Sequence, residues 1–308
     1  MRVVFMGTPD FSVPALEKIA QVHEVVGVVT QQDRPKGRGH KMQFTPVKEK
    51  AVELNLPVYQ PEKVKAPEFV QVLKELNPDV IVVIAFGQIV SKEILDLPKY
   101  GCINVHASLL PKYRGAAPIQ WAVINGDKES GVTTMVMAEG IDTGDMLDKT
   151  VVTLSPEETG GSLFDRLSVT GAELIVETLE KLEKGTAVRT PQKEEEATHV
   201  GKITKDLGQI DFQKSAVEIE RLVRGLNPWP SAYTKLEGKT LKIWKGEVLE
   251  GACNEAPGTI LCADKKGIQV ATGDGILNIL ELQAEGKKRM SVRDFLNGYE
   301  ISASMLGE

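Results

Sequence analysis

The chain has 308 residues, with 37 Lys and Arg against 43 Asp and Glu, so its formal net charge is -6 at neutral pH. This length is sufficient for two domains, and the charge argues against a general nucleic-acid binder while leaving room for a local basic patch. The three cysteines share no metal-like spacing, and no apolar run approaches the roughly 20 residues that span a membrane. We therefore expect a cytoplasmic protein without a signal peptide, a membrane segment or a metal ion.

The first part of the chain alternates between apolar runs and amphipathic segments. The runs "RVVFM" at 2–6 and "EVVGVVT" at 24–30 enclose a helical pattern, and this order favours a parallel sheet. The segments "DVIVVIAF" at 79–86 and "GCINVHAS" at 101–108 read as further strands, the first of them buried on both faces. A long amphipathic helix is predicted to end at Gly185. We expect an α/β fold with a Rossmann-like, mostly parallel sheet over 1–189.

The composition changes after this region. Residues 190–208 lie in a stretch with Pro, Gly and a run of Glu, which is typical of a linker. One helix is predicted at 215–226, followed by about five short strand-like segments and a final short helix. This pattern predicts an OB-like β-barrel as a C-terminal domain over 209–308.

Polar side chains follow two of the predicted strands. Asn104 and His106 lie near the end of "CINVH", and their spacing of two places both side chains on one face of the strand. Asp142 lies in the loop "EGIDTGD" after the next strand. Ligands bind at the carboxyl ends of parallel strands, so these three groups are candidates for one site. Singly, each has a commoner explanation: backbone bonding for Asn104, a surface or hydrogen-bonded histidine for His106, and a turn residue for Asp142.

Longer segments resemble a known family. The stretches "INVHASLLPKYRGAAPIQWAVINGD" and "GVTTMVMAEGIDTGDML" are similar to those of the formyltransferases that use 10-formyltetrahydrofolate. The stretches "VVFMGTPDFSVPAL" and "TQQDRPKGRGHK" narrow the resemblance to members that act on methionyl-tRNA. The similarity runs from the first residue into the C-terminal domain, without a departure at the three candidate positions.

The resemblance implies a reaction in which a formyl group moves from N10 of the folate to the free amine of initiator methionyl-tRNA. The amine itself is the nucleophile, so the protein needs none. Asn104 is suited to donate a hydrogen bond to the developing oxyanion, and His106 to hold that charge or manage a proton. Asp142 is suited to orient His106 or to accept the amine proton through a water.

The resemblance also implies a folate site beside the catalytic strand. The residues that match the folate-binding segments are Phe86, Gly87, Gln88, Ile89, Ser108, Leu109, Leu110, Pro111, Gly140 and Asp142. For two of the residues in these segments, Phe86 and Ile89, packing in the protein core is as good an interpretation as contact with the folate.

A basic loop and the C-terminal domain are the predicted tRNA-binding parts of what we expect to be a monomer. A solvated surface loop is the usual interpretation of such a charge run, but the resemblance assigns it to tRNA. The predicted tRNA-binding residues are Arg34, Lys36, Arg38 and Lys41. In the C-terminal domain, the basic residues that fall on one predicted hairpin are Lys235, Lys239, Lys242 and Lys245.

Several alternatives remain open at this point. A folate formyltransferase that acts on glycinamide ribotide or on an amino sugar nucleotide would carry the same three polar residues, although the second domain and the basic loop argue against the first of these. A 10-formyltetrahydrofolate hydrolase is a further alternative. A non-enzymatic RNA-binding protein is disfavoured by the Asn, His and Asp set. A nicotinamide-dependent oxidoreductase is disfavoured because the first strand-to-helix turn lacks GxGxxG.

Overall fold

The computed structural model describes residues 1–36, 41–251 and 253–307. The chain forms two compact units, each assembled from three segments. The first unit comprises Met1–Gly115, Ser130–Val152 and Phe164–Val200. The second unit comprises Ala116–Glu129, Thr153–Leu163 and Gly201–Glu308. The domain boundaries at 189 and 208 remain a prediction.

The elements follow one another in the order that the apolar and amphipathic segments predict. The strands are β1 (Arg2–Gly7), β2 (Glu24–Val29), β3 (Arg34–Lys36), β4 (Lys41–Gln43), β5 (Val58–Tyr59), β6 (Val80–Ile84), β7 (Cys102–His106), β8 (Arg114–Gly115), β9 (Glu129–Val136), β10 (Met146–Thr153), β11 (His199–Val200), β12 (Ala232–Leu236), β13 (Lys239–Leu249), β14 (Ile260–Asp264), β15 (Gly267–Ala271), β16 (Ile276–Ala284) and β17 (Met290–Ser291). The α-helices are α1 (Val13–Val22), α2 (Pro46–Glu53), α3 (Pro67–Leu76), α4 (Lys92–Leu95), α5 (Pro118–Asn125), α6 (Gly160–Glu183), α7 (Ala216–Gly225) and α8 (Val292–Leu296).

The central sheet of the first unit has seven strands in the order β10-β9-β7-β6-β1-β2-β5. Strands β5, β2, β1, β6 and β7 run parallel, and β9 pairs antiparallel with β7. The chain leaves β1 toward β2 on one side and later returns to β6 on the other. This reversal of strand order creates a crevice at the carboxyl ends of the strands, where ligands of such sheets bind.

Local sequence explains several helix boundaries of the first unit. Thr45 caps α2 by accepting a hydrogen bond from the amide of Lys48, and a proline follows it at the first helical position. Helix α6 ends two residues before Gly185, whose φ of +69° favours glycine. Ser91 occupies the position before α4, but its side chain forms no cap hydrogen bond there.

The second unit contains an antiparallel sheet in the order β12-β13-β16-β15-β14, with β17 paired to β16. Helix α7 begins with a capping box formed by Ser215 and Glu218. Its buried Ile219 and Val223 join the apolar side of the sheet in one core. The predicted α/β class is thus confirmed, with a mostly parallel sheet in the first unit and an antiparallel sheet in the second. In the described part of the chain, no helix combines the length and apolarity needed to cross a membrane.

Candidate active site

Strand β7 ends in the crevice with Asn104 and His106. The Asn104 side chain donates from Nδ2 to the carbonyl oxygen of Val83 on β6, at 2.9 Å. Because a carbonyl only accepts, this contact fixes which way the amide points. Its Oδ1 is buried and has no hydrogen-bond partner among the described residues.

His106 is 7% exposed, and each of its ring nitrogens faces an oxygen atom. Its Nε2 lies 2.9 Å from the carbonyl oxygen of Tyr113, so Nε2 carries a proton and donates it there. Its Nδ1 lies 3.6 Å from Oδ2 of Asp142. That separation is too long for a hydrogen bond but suits an ion pair when the imidazole is protonated. The structure therefore brings together two of the three predicted catalytic residues, with Asn104 two positions earlier on the same strand.

Asp142 is held in place by backbone groups. Its Oδ2 accepts a hydrogen bond of 2.8 Å from the amide of Gly115. The residue has φ +55°, a left-handed conformation that Asp tolerates better than most residues. Two positions on, a Cβ at Gly144 would lie 1.7 Å from the carbonyl oxygen of Val136, so only glycine fits there. The loop thus has a specific backbone path that presents one carboxylate to His106.

The segment from Ser108 to Pro111 is rigid and mostly buried. The Ser108 hydroxyl donates to the carbonyl oxygen of Lys112 at 2.6 Å. Thr133 donates to the carbonyl oxygen of Ser108 at 2.7 Å and accepts from the amide of Leu110 at 3.1 Å. The hydroxyl of Ser108 is therefore engaged with a carbonyl, which agrees with the absence of a nucleophilic serine from the predicted chemistry.

The other predicted folate contacts are placed in different ways. Phe86 is 2% exposed and packs in the core, in agreement with the core-packing interpretation. Ile89 is 82% exposed and is not a core residue. Gln88 accepts from the amide of Val64 at 2.7 Å, so its side chain supports a neighbouring loop. Gly140 is exposed in the loop that carries Asp142.

A cleft of about 480 Å³ opens at the carboxyl ends of β1, β2 and β6. The predicted residues that line it are Phe86, Gly87 and Arg34. Arg34 begins the hairpin β3–β4, in which Lys36 pairs with Lys41. Arg38, the remaining predicted tRNA-binding residue, lies outside the described residues.

The base of the hairpin is fixed by an acidic residue that precedes it. Asp33 forms an ion pair with Lys48 at 2.5 Å and accepts from Gln60 at 2.8 Å. The hydrogen bond from Lys48 is the main reason why the pKa of Asp33 is lowered. Because Lys48 neutralises Asp33, the acidic residue next to the hairpin does not offset the charge of Arg34.

Sequence reasoning missed a second group of residues around Asp142. Some of these residues contact the site through main-chain groups, and others come from segments far away in the sequence. Patterns of side chains in the sequence reveal neither kind of contact. Arg114 gave a possible signal, because an Arg between Tyr and Gly in an otherwise apolar turn invites a buried partner. The residues of this group are Tyr113, Arg114, Gly115, Gln192, Glu194 and Thr198.

Two family models match the chain. The model described as "Formyl transferase" matches residues 1–179, and "Formyl transferase, C-terminal domain" matches residues 202–300. The chain belongs to the formyl transferase family. The methionyl-tRNA formyltransferase of Agathobacter rectalis is 60% identical over 302 residues, which are 98% of this chain and 97% of that protein. The methionyl-tRNA formyltransferase of Clostridioides difficile is 54% identical and covers 99% of each chain.

Solved structures share the fold of this formyl transferase at low sequence identity. HypX from Aquifex aeolicus in complex with tetrahydrofolic acid superposes with a TM-score of 0.62 at 18% identity over 96% of this chain. The present chain spans 47%, about half, of the length of HypX. The N-formyltransferase from Helicobacter canadensis in complex with folinic acid and dTDP-3-aminofucose gives 0.66 at 19% identity, over 90% of this chain and 98% of that one.

Proposed function

We propose that this formyl transferase moves the formyl group of 10-formyltetrahydrofolate to the free amine of initiator methionyl-tRNA, giving N-formylmethionyl-tRNA for translation initiation. The near full-length identity of 60% with a methionyl-tRNA formyltransferase carries this conclusion, because it extends over both units. The acceptor belongs to translation, so we place the reaction in the cytoplasm and propose a monomeric enzyme.

The catalytic roles proposed for Asn104, His106 and Asp142 follow from their contacts. The second N–H of Asn104 donates to the formyl oxygen as that atom gains negative charge. Such a donor lowers the barrier by about 3 kcal/mol. A protonated His106 adds a positive charge in the same region, and Asp142, 3.6 Å away, holds the imidazole in place. Asp142 is also suited to accept the proton of the attacking amine through a water. As the bond from the amine to the formyl carbon forms, the bond to N10 breaks, and the proton lost by the amine is available to the leaving N10. These steps require no nucleophile from the protein.

The proposed donor site is formed by the loops on either side of β7. The folate supplies the formyl group, and the protein's part is to bind the ring and orient the carbonyl. Among the residues predicted to bind the ring, the exposed Ile89 and Gly140 and the partly exposed Leu109 offer surface that a flat ring could contact. The orphaned Oδ1 of Asn104 adds a buried acceptor beside this region.

The proposed acceptor site is the cleft of about 480 Å³ together with the hairpin β3–β4. The hairpin carries Arg34, Lys36, Arg38 and Lys41, whose charges suit the phosphates of an RNA acceptor stem. A guanidinium such as that of Arg38 also suits bidentate contacts with phosphates or bases. We propose 1–189 as the catalytic domain, 190–208 as the connecting segment and 209–308 as a second tRNA-binding domain.

The function is tested by mixing the purified protein with 10-formyltetrahydrofolate and one acceptor at a time. The acceptors are initiator methionyl-tRNA, elongator methionyl-tRNA and a dTDP-linked amino sugar. We expect formyl-methionine to form on the initiator alone. Transfer to the amino sugar alone, or folate turnover without any acceptor, would contradict the proposal and favour the sugar or hydrolase alternative.

A further inference from the structure

Residues 190–200 follow the first unit's last helix and run along its candidate active site. Thr190 exchanges two backbone hydrogen bonds with Met146 at the start of β10. At the other end, Thr198 accepts from the amide of Tyr113 through its hydroxyl at 2.8 Å, and β11 pairs in parallel with β8. The segment is thus tied at both ends to the residues that flank Asp142.

Gln192 lies between these two attachments and uses its whole amide. Its Nε2 donates to the carbonyl oxygens of Asp142 and Gly144, at 2.7 and 2.8 Å. Its Oε1 accepts from Nε of Arg114 at 3.0 Å. An amide has two N–H groups and one carbonyl, so Gln192 joins the loop 142–144 to Arg114 without a spare donor.

Arg114 in turn is held firmly. It is 1% exposed, and its Nη1 contacts both carboxylate oxygens of Glu194 at 2.9 and 3.0 Å. A buried guanidinium requires such partners. Arg114 therefore has one orientation, and that orientation sets the position of the Gln192 amide.

We propose that Gln192, oriented by Arg114, is a positioning residue for the reaction: it fixes the backbone of 142–144 so that the Asp142 carboxylate faces His106. This inference rests on the proposed role of Asp142. The carboxylate end of Asp142 is held by Gly115 and its main chain by Gln192. Without the contacts from Gln192, the carbonyl groups of Asp142 and Gly144 lose this attachment, and the 3.6 Å approach of the Asp142 carboxylate to Nδ1 of His106 is less well defined.

Gln192→Glu is the variant that isolates this contact. Glutamate has nearly the same shape and still accepts from Arg114, but it cannot donate to the carbonyl oxygens of Asp142 and Gly144. We expect kcat to fall by about 10- to 100-fold, as small displacements of catalytic groups do, while KM for either substrate changes by less than about threefold. Gln213→Glu makes the same chemical change at an exposed site of the second unit and serves as the control.

A double-mutant cycle separates positioning from general loss of structure. If Gln192 acts through Asp142, then Gln192→Glu costs little further activity in an Asp142→Asn background, because the group it positions is already lost. Equal losses of kcat in both backgrounds would overturn the inference. If Asp142→Asn alone keeps normal turnover, the proposed site fails instead, so the two failures are distinguishable.

A second variant keeps the inference testable if the Gln192→Glu protein does not fold. Glu194 has a side chain that is 76% exposed, and Glu194→Ala removes only the outer anchor of Arg114. We expect the unfolding midpoint to stay within a few degrees and kcat to fall by about two- to fivefold with KM unchanged. An unchanged kcat in Glu194→Ala, together with an unchanged kcat in Gln192→Glu or a misfolded Gln192→Glu protein, would also overturn the inference.

Discussion

His106 shows how one residue's surroundings give different roles to its two ring nitrogens. Nε2 is committed to the carbonyl oxygen of Tyr113, so Nδ1 is the ring nitrogen left to face the site. Nδ1 faces the carboxylate of Asp142, which is itself fixed by the amide of Gly115. Loss of Asp142 would therefore remove the counter-charge that faces Nδ1, while the hydrogen bond from Nε2 to Tyr113 remains.

The first prediction is that His106→Ala and Asp142→Asn keep the fold but lose most turnover. Asn at 142 still offers an oxygen to the amide of Gly115, so the loop path is retained while the charge is removed. We expect kcat to fall by about 100-fold or more in each variant, measured as formyl-methionine formed per minute. Asp96→Asn, at an exposed ion pair with Lys92, is the control. A rate close to that of the unchanged protein in either variant would reject the assignment.

At this scale, the sequence reveals side chains better than main-chain groups. Asn104, His106 and Asp142 stand out because each is a polar residue that follows an apolar run. Tyr113 and Gly115 contribute a carbonyl and an amide, which every residue has, so their roles depend on the fold alone. Gln192 is 50 residues from Asp142 in the chain, and no local pattern connects them.

Among the elements, the hairpin β3–β4 is the one whose charge bears on the acceptor. Its positive side chains follow an acidic residue that Lys48 already neutralises. The hairpin also borders the cleft at the carboxyl ends of the strands. This arrangement agrees with a role in guiding an anionic substrate toward the crevice.

The second prediction is that Arg34→Ala and Arg38→Ala each weaken binding of initiator methionyl-tRNA and leave folate binding unchanged. Each lost phosphate contact should reduce the slope of log K against log salt by about one. The measurement is tRNA affinity over a range of salt concentrations. Lys99 is an exposed basic residue of the first unit outside the hairpin, and Lys99→Ala should leave this slope unchanged. Equal slopes for all three variants would exclude the hairpin from the tRNA contact.

Another element, the C-terminal segment after α8, is attached through Glu237. This carboxylate accepts from the hydroxyls of Ser302 and Tyr299, at 2.6 and 2.5 Å. These hydrogen bonds, with that of Ser302 the largest cause, lower the pKa of Glu237 to about 2. These two side-chain contacts depend on the charged form of Glu237, whereas the main-chain hydrogen bond from Leu306 to Gly258 that also attaches the segment does not.

The third prediction concerns the pH dependence of this attachment. Because the folded pKa is lowered from an ordinary value of 4.5 to about 2, the stabilisation is complete above 4.5 and is lost as the pH falls toward 2. Because Glu237 is exposed and its interactions are screened by solvent, Glu237→Gln should lower the thermal unfolding midpoint only slightly, by a constant amount between about pH 5 and 8. That difference should shrink progressively below about pH 4.5. Glu300→Gln, in the same segment, is the control; a difference independent of pH would contradict the prediction.

The helices and strands were predictable where local signals were strong. The predicted helix at 215–226 corresponds to α7 (Ala216–Gly225), because a capping box and a periodic apolar face mark it. The Lys-rich hairpin at β12 and β13 also follows from alternation and a turn. The segment 190–200 gave no such signal, since its order comes from single contacts to distant residues rather than from periodicity.

At the scale of the whole molecule, the two units are assembled from interleaved parts of the chain. Helix α5 follows closely after Gly115 but belongs to the second unit, where it packs on α7. Pro118, Ile119 and Ala122 are buried residues of α5. Deleting 206–308 would remove α7 and expose this helix, so a weakened tRNA affinity in such a truncation would mix binding with folding.

The fourth prediction therefore uses charge reversal in the intact chain. Lys239 and Lys245 are exposed on β13, and their joint change to Glu should weaken initiator methionyl-tRNA binding by about 10-fold at low salt. Lys265 and Lys266 are exposed in the turn between β14 and β15, and their joint change to Glu gives the same net charge. An equal loss of affinity in both double variants would show a general charge effect rather than a binding surface on β13.

The interleaving of the units has a consequence for exchange of parts between relatives. Because α5 and residues 153–163 count with the C-terminal unit, a graft of residues 201–308 alone would bring in a foreign α7 against a resident α5. The two helices pack closely at Gly225 of α7, where a Cβ would lie 2.4 Å from the side chain of Ile124 on α5. A relative's α7 with a larger residue at this position would clash with the resident α5. A chimaera that preserves packing must carry three stretches of sequence, not one. We expect recombination within this family to keep α5 and α7 in the same parental combination.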